Sequence, residues 1–355
     1  MRILIDIGHP AHVHLFKYFY YEMKKNGNEL LFTIKDNLNT AIALLKYYGI
    51  EYETIGLKAD NLLSKGINQI KYNLKLRNII KRRKVDIGIG TSISIAHVSK
   101  ISEMKSIILD DDDDEVEPLF VKFAHPYCDV LLSPDALREK RKKKDTIYYR
   151  GYHELAYLHP NRFTPDSHVL REAGIEDGEK FYVMRFNVFK AHHDIGIKGI
   201  TLENKLKLVE MLQKYGKVFI TTEREIEPEL KEYQFNLHPS KVHSFLYYAE
   251  IFIGDSQTMT SEAAVLGTPS LKCNSFAGKL SVPNDLETKY GLCYSYLPDD
   301  FEKMIEKIKE LLTLKDLKQE WKKRREKMLN DKIDVTTFLL EFVDKLFKEL
   351  IIHDK

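Results

Sequence analysis

Short apolar runs rich in β-branched residues alternate along this chain with longer stretches whose apolar positions recur at helical spacing. The pattern predicts βαβ units and parallel strands buried on both faces. It occurs twice. In the first half strands are expected at Arg2–Ile7, Glu29–Ile34, Tyr52–Ile55, Asp86–Ile89, Ser106–Leu109 and Val130–Ser133. In the second they are expected at Phe181–Phe186, Lys217–Thr222, Ile251–Gly254, Ser270–Cys273 and Leu292–Tyr296. Between the series, Tyr148 to Pro165 is irregular and aromatic, with Pro160 and Pro165 as breakers, and reads as the interdomain connection. After Pro298 the pattern is helical to the end. The expected class is α/β with two doubly wound, Rossmann-like parallel-sheet domains, residues 1–155 and 156–334, and a helix in 335–355 packing back on the first.

Composition narrows the possibilities. The 355 residues are 43% hydrophobic and 30% charged, ordinary globular proportions that favour two cores over one. Fifty-five basic residues against 53 acidic ones leave a net charge of +2, with no global field for nucleic acid. Cys128, Cys273 and Cys293 are isolated, which fits buried thiols in a reducing compartment rather than a disulfide framework or a zinc site. No apolar stretch approaches the roughly 20 residues of a membrane span. Met1 leads directly into the first strand. A cytoplasmic protein is expected, peripheral at the inner face of a membrane at most.

Open parallel sheets meet ligands at the carboxyl ends of their strands, so chemistry is sought there. From Ile251 to Ser270 the text reads strand, polar turn, helix, with Gly267 as stop and Pro269 beyond. Ser256 is the expected N-cap. Behind Asp255, the backbone N–H groups of Gln257, Thr258 and Met259 would point out of a positive helix end and cradle a diphosphate. Glu262, one turn after Thr258, is placed to accept from a ribose diol. The competing reading is a plain capped helix. Neither G-x-G-x-x-G nor a P-loop occurs elsewhere.

Three further constellations stand out. Asp6-Ile-Gly-His-Pro-Ala-His-Val-His14 gathers three imidazoles at one strand end, so His9, His12 or His14 is a candidate general base. Gly8 admits a close backbone approach, and Pro10 breaks the spacing a metal site would use. Asp110–Asp114 with Glu115 and Glu117 offers acid, base or cation-holding groups, Asp113 and Glu115 foremost; a solvated loop is the alternative. Met184 to Asp194 gathers Arg185, Lys190, His192, His193 and Asp194 at a strand end, where the Arg185 guanidinium is a candidate phosphate partner; a local ion pair is the alternative. The basic runs Arg138–Lys144 and Arg77–Lys84 fit an anionic membrane surface if they are not simply solvated.

These residues together resemble, over nearly the whole chain, an uncharacterised prokaryotic family of glycosyltransferase-like proteins of the GT-B fold, related to UDP-N-acetylglucosamine 2-epimerase and the MurG-type transferases. The resemblance is carried by Asp6–His14, Gly151-Tyr-His-Glu-Leu-Ala-Tyr-Leu158, Arg162-Phe-Thr-Pro-Asp166, His193-Asp194, and Gly254–Met259 with Glu262-Ala-Ala. It implies two Rossmann-like domains facing a cleft. His12 is favoured as base, with His9 and His14 as second choices. Ser256 to Thr258 match the diphosphate turn, Glu262 the ribose contact, and His238–His243 the nucleobase pocket, with His243 a contact. The acidic motif departs from the family's order of Asp, Thr, Glu and His. The implied activity is transfer from a nucleotide-diphosphate sugar, UDP-sugar favoured, to a saccharide or lipid-linked hydroxyl acceptor in envelope synthesis, without metal or cofactor. Alternatives are a UDP-N-acetylglucosamine 2-epimerase-like epimerase or hydrolase, and a non-catalytic nucleotide-sugar-binding module.

Overall fold

The computed structural model describes residues 1–56, 62–186, 199–222 and 225–353. The chain divides into two compact units: Met1–Arg162 with Lys332–Lys355, and Phe163–Asp331. The two-sheet α/β architecture expected from the hydrophobic pattern is present, with both sheets parallel throughout.

Unit 1 is built on seven strands: β1 Arg2–Ile7, β2 Glu29–Ile34, β3 Tyr52–Thr54, β4 Ile87–Gly90, β5 Lys105–Leu109, β6 Val130–Pro134 and β7 Ile147–Tyr149. Between them lie α1 Pro10–Lys25, α2 Asn39–Tyr47, α3 Leu62–Arg83, α4 Ile93–Ser99 and α5 Pro118–Phe123. The spatial order is β3-β2-β1-β4-β5-β6-β7. Strand order therefore reverses between β1 and β4, and the crevice that ligands use in such sheets opens there. Leu4, Ile5, Ile87, Ile89, Ile107 and Ile108 are fully buried, which is why the central strands read as continuous apolar runs.

Unit 2 carries β8 Phe181–Arg185, β9 Lys217–Thr221, β10 Ile251–Gly254, β11 Ser270–Cys273 and β12 Cys293–Tyr296, in the order β12-β11-β10-β8-β9. Its helices are α6 His168–Glu172, α7 Leu202–Leu212, α8 Val242–Tyr248, α9 Gln257–Leu266, α10 Ser281–Thr288, α11 Phe301–Thr313 and α12 Leu317–Asp331. Here the reversal lies between β8 and β10. Beneath the sheet Phe181, Phe219, Phe235 and Phe245 pack at 4.8–5.8 Å between ring centroids. Trp321 is fully buried and donates to the Leu292 carbonyl at 3.0 Å.

Both switch points share one device. Gly90 stands in register with Asp6, and Gly254 with Arg185. A Cβ at either glycine would collide with the partner's carbonyl oxygen, so only glycine lets these strands close up.

Beyond Asp331 the chain rejoins unit 1. Ile333 N–H donates to the Arg150 carbonyl at 2.8 Å, and α13, Val335–His353, buries Val335, Leu339 and Val343. The stretch read as a connection contains β7, a short edge strand. The units part at Arg162/Phe163, seven residues after the expected 155/156 boundary.

Candidate functional site

In unit 1 the strand ends on either side of the β1/β4 switch are tied by a buried carboxylate. Thr33 and Tyr72 hydroxyls donate to Asp6 Oδ1 at 2.7 Å, and the Ser92 hydroxyl donates to Oδ2. Burial raises the Asp6 carboxyl despite these donors. Ser92 also caps α4, its hydroxyl accepting from Ile95 N–H at 3.3 Å. Its neighbour Thr91 is thereby held with its hydroxyl 2.7 Å from His12 Nδ1.

The three histidines after β1 go separate ways. His9 is the N-cap of α1, its Nδ1 accepting from Ala11 N–H at 3.2 Å, with its ring 5.8 Å from that of His12. Gly8 N–H donates to His12 Nδ1 at 3.3 Å, so Nδ1 is the unprotonated nitrogen and Nε2 carries the proton. Burial, then His9 and His153, push the His12 imidazole down to about 3, and Asp111 alone pulls the other way. His12 is thus a neutral donor through Nε2. His14, two residues and about 200° further around the helix, is buried between Tyr48 and Tyr157 at ring distances of 5.9 and 5.5 Å. It belongs to the core.

The acidic run after β5 is sorted by the basic run that follows β6. Arg141, buried, reaches Asp110 at 2.8 Å and Asp114 at 2.5 Å through Nη1, and the Asp110 and Asp112 carbonyls at 3.0 Å through Nη2. His125 adds a 2.7 Å contact to Asp110. Asp113 is buried and paired with Lys140 at 3.3 Å, whereas Glu115 is exposed. The two named from the sequence, Asp113 and Glu115, are therefore a structural ion pair and a surface residue. Of the run, Asp111 lies beside the histidines, and its neighbour Asp112 is exposed.

Asp111 meets His153 Nδ1 at 3.0 Å. Burial alone would lower His153, but the Asp111 carboxylate together with Glu154 and Asp110 outweighs it and the imidazole is raised. Burial likewise would raise Asp111, and His153 holds it low. His153 is 8% exposed, stacks on Tyr149 at 6.5 Å, and its Nε2 has no partner among the described residues. Asp112 is exposed at the surface, yet desolvation of its carboxyl, then Asp111, Asp110 and Glu117, push it up to about 8. Carboxylate oxygens of Asp110, Asp111 and Asp112 lie within 4.8 Å of one another, spacing that could hold a divalent cation, although Asp110 is already engaged by Arg141 and His125.

In unit 2, Arg185, Gly254 and Lys272 stand in one register row across β8, β10 and β11, which puts the two cations on one face on either side of the glycine. The Lys272 ammonium donates to the Gln257 side chain in the first turn of α9. Burial pushes Lys272 down to about 8. Asn274 fixes the turn by donating to the Asp255 carbonyl at 2.9 Å. Ser256 is the N-cap of α9, and its hydroxyl accepts from Met259 N–H at 3.5 Å. That commits the Met259 amide and narrows the expected cradle to Gln257 and Thr258. Met259 itself is buried. Glu262, also buried, meets His243 Nε2 at 3.0 Å, and His243 packs edge-on against Phe163. His193 and Asp194 lie outside the described residues.

Residues 1–346 match the model of a family described as a protein of unknown function, DUF354. The chain belongs to that family. A relative of this DUF354 chain is an uncharacterized protein of Methanocaldococcus jannaschii, 25% identical over 291 residues, 77% of this chain and 82% of the relative. Among solved structures, an S. aureus MnaA–UDP complex superposes with TM-score 0.70 at 12% identity, covering 98% of this chain and 97% of that one. UDP-GlcNAc 2-epimerase from Neisseria meningitidis bound to UDP-GlcNAc gives 0.65 at 14%, covering 97% and 100%. The spinosyn forosaminyltransferase SpnP gives 0.63 at 13%, covering 99% of each. At these identities the likeness is one of fold, and that fold is GT-B-like.

The sequence signal for Asp111 was drowned in a run of like residues. His153 sits inside the Gly151–Leu158 text that carried the family resemblance, but nothing local marked it as the partner of a residue 42 positions earlier. Lys272 looked like an ordinary residue within a strand.

Proposed function

We propose that this DUF354 protein acts on a nucleotide-diphosphate sugar, transferring the sugar to a hydroxyl acceptor. The observation that carries this reading is the row Arg185–Gly254–Lys272 beside the capped end of α9. Breaking an anomeric C–O bond leaves a diphosphate carrying new charge. Fixed cations and helix-end amides stabilise that charge as it develops, without a metal ion. The turn Asp255–Thr258 and the His243–Glu262 pair would receive the nucleotide, with Glu262 turned to the ribose. UDP is the favoured nucleotide because structures of this fold were solved with UDP and UDP-GlcNAc.

Unit 1 would supply the proton chemistry. With His12 weakly basic and its Nδ1 occupied, the base falls to Asp112, whose pKa of about 8 lies close to working pH. His12 Nε2–H would orient an acceptor or sugar oxygen. The acceptor class, saccharide or lipid-linked alcohol in envelope synthesis, belongs to the same proposal.

A specific observation favours a second reading, 2-epimerisation of the sugar. Asp111 is held low and Asp112 high, next to His153, whose imidazole is raised, so an acid and a base stand together. Removing a proton from C2 needs both, whereas transfer needs one.

The test is incubation with UDP-GlcNAc in deuterated water, with and without acceptor alcohols and a chelator, followed by NMR. UDP release that depends on acceptor, with no deuterium at C2, supports transfer. Deuterium at C2 without acceptor replaces transfer by epimerisation. Binding without turnover under every condition sinks both and leaves a binding module.

A further inference from the structure

The opposite edge of the unit 1 sheet, where strands begin rather than end, holds a cavity of about 1190 Å3 that the proposed chemistry does not use. Its polar wall is cationic: Arg77, Lys81 and Lys84 from the last turns of α3 and the following residue, and Lys105 at the start of β5. Arg2 also lines it but is spent on Asp86 at 3.5 Å, and Glu103 is the other acid. The remaining wall is apolar, with Ile101, Phe347 and Leu350 among its residues. A cavity that is basic on one side and aliphatic on the other matches an anionic amphiphile, whose head and tail make opposite demands.

The surface beside it has the same division. Ile70 and Leu74 are 63% and 54% exposed, and they continue into Arg77, Lys81 and Lys84 at spacings of four, three, four and three residues. That spacing keeps Ile70, Leu74, Arg77 and Lys81 on one stripe of α3, apolar toward its start and cationic toward its end, and Lys84 follows just past the helix end. Ile101, 54% exposed, is joined to this stripe by the Arg77 Nε donor at 3.3 Å to its carbonyl. Exposed aliphatic residues are costly in water, and set beside a cluster of hydrated cations they are matched by an anionic bilayer interface.

We infer that this face of unit 1 docks on an anionic lipid bilayer, with one acidic phospholipid headgroup and the upper part of its chains entering the cavity. The other basic run is partly spent within the fold: Arg141 is buried on Asp110 and Asp114, Lys140 is on Asp113, Lys143 is on Asp145, and Arg138 lies over the Tyr148 ring at 4.3 Å.

Flotation of the full-length protein with phosphatidylcholine vesicles, with or without phosphatidylglycerol, tests the inference. Binding is expected only with phosphatidylglycerol, and it should fall steeply with salt. Lys81→Glu/Lys84→Glu should weaken it at least about tenfold, as should Ile70→Ser/Leu74→Ser, with unchanged melting temperature. Lys303→Glu/Lys309→Glu, the same charge change on the exposed face of α11 in unit 2, should leave it intact. Equal binding to both vesicles, or equal loss in the α11 variant, overturns the inference. So does competition by inorganic phosphate at low millimolar concentration, which would assign the cavity to a free anion. A dimer that dissociates on Ile70→Ser/Leu74→Ser without any vesicle binding would give the face to a second copy. Each readout is independent of turnover, so it can fail while the proposed activity stands.

Discussion

At the scale of single residues, the pairs around β5 separate what holds unit 1 together from what does chemistry in it. Asp111 and His153 are a half-buried pair, the Asp111 side chain 33% exposed, so removing one partner should cost about 1 kcal/mol, less than a fully buried pair would lose. The cost has a pH window. His153 is raised above its ordinary 6.5, so its contribution is complete below that value and fades as pH rises through the raised one. Asp111 is lowered from 3.8, so its share is complete above 3.8 and disappears as pH falls through the lowered value. Asp111→Asn should therefore depress the melting temperature most between these two ordinary values, and the difference from wild type should shrink in alkali. A uniform depression across pH would mean that the pair is not charged. Asp112 predicts something different. As a base it must be ionised, so turnover should climb with pH through about 8, and Asp112→Asn should remove that limb along with roughly 100-fold or more in kcat. Nucleotide affinity, proposed for unit 2, should not change. A retained limb in Asp112→Asn assigns the base elsewhere.

At the scale of elements, the hydrophobic pattern carried most of the architecture because parallel strands buried on both faces cannot be anything but apolar. What it missed has physical reasons. β7 has only three residues at a sheet edge, and Ile147 is largely exposed, so neither length nor burial marks it. The site was legible where it depends on local geometry: Ser256 caps α9 because serine before a helix start does so anywhere. It was illegible where it depends on pairing across the fold, as with Arg141 choosing Asp110 and Asp114 and Asp111 pairing with His153. The strand-closing glycines lie between these cases, visible as glycines but not as necessities. Gly254→Ala would drive a Cβ into the Arg185 carbonyl, forcing β8 and β10 apart at the cation row. The expected cost is about 2–3 kcal/mol, with nucleotide affinity falling at least tenfold in calorimetry. By contrast, Ser256→Ala should cost only about 1 kcal/mol. If Gly254→Ala binds nucleotide normally, the row is not the phosphate site.

At the scale of the whole molecule, unit 1 is discontinuous, and its last 24 residues arrive after all of unit 2 has been made. The returning segment is tied at several points. Lys332 meets Asp135 at 2.8 Å, Thr336 donates to the Ala156 carbonyl at 2.7 Å, and Arg162 meets Asp334 at 2.7 Å. A Cβ on Gly151 would strike the Val335 side chain, so the turn after β7 is shaped to receive α13. Val335, Leu339 and Val343 are fully buried. Burying each of them is worth roughly 1.5–3 kcal/mol, which together rivals the total stability of an ordinary domain. A chain ending at Asp331 should therefore lose the calorimetric transition of unit 1 and keep that of unit 2. Arg162→Ala in the full-length chain should lower the unit 1 transition alone, by about 2–3 kcal/mol, because it leaves the buried Asp334 carboxylate without its cation and with only the Thr337 donors. If the truncated chain still melts with both transitions, α13 is an accessory to unit 1. If both transitions vanish together, unit 2 cannot fold without unit 1. Loss of the first with retention of the second would make the C-terminal helix the last piece of the first domain, and would explain why the family match runs to residue 346 instead of stopping where unit 2 ends.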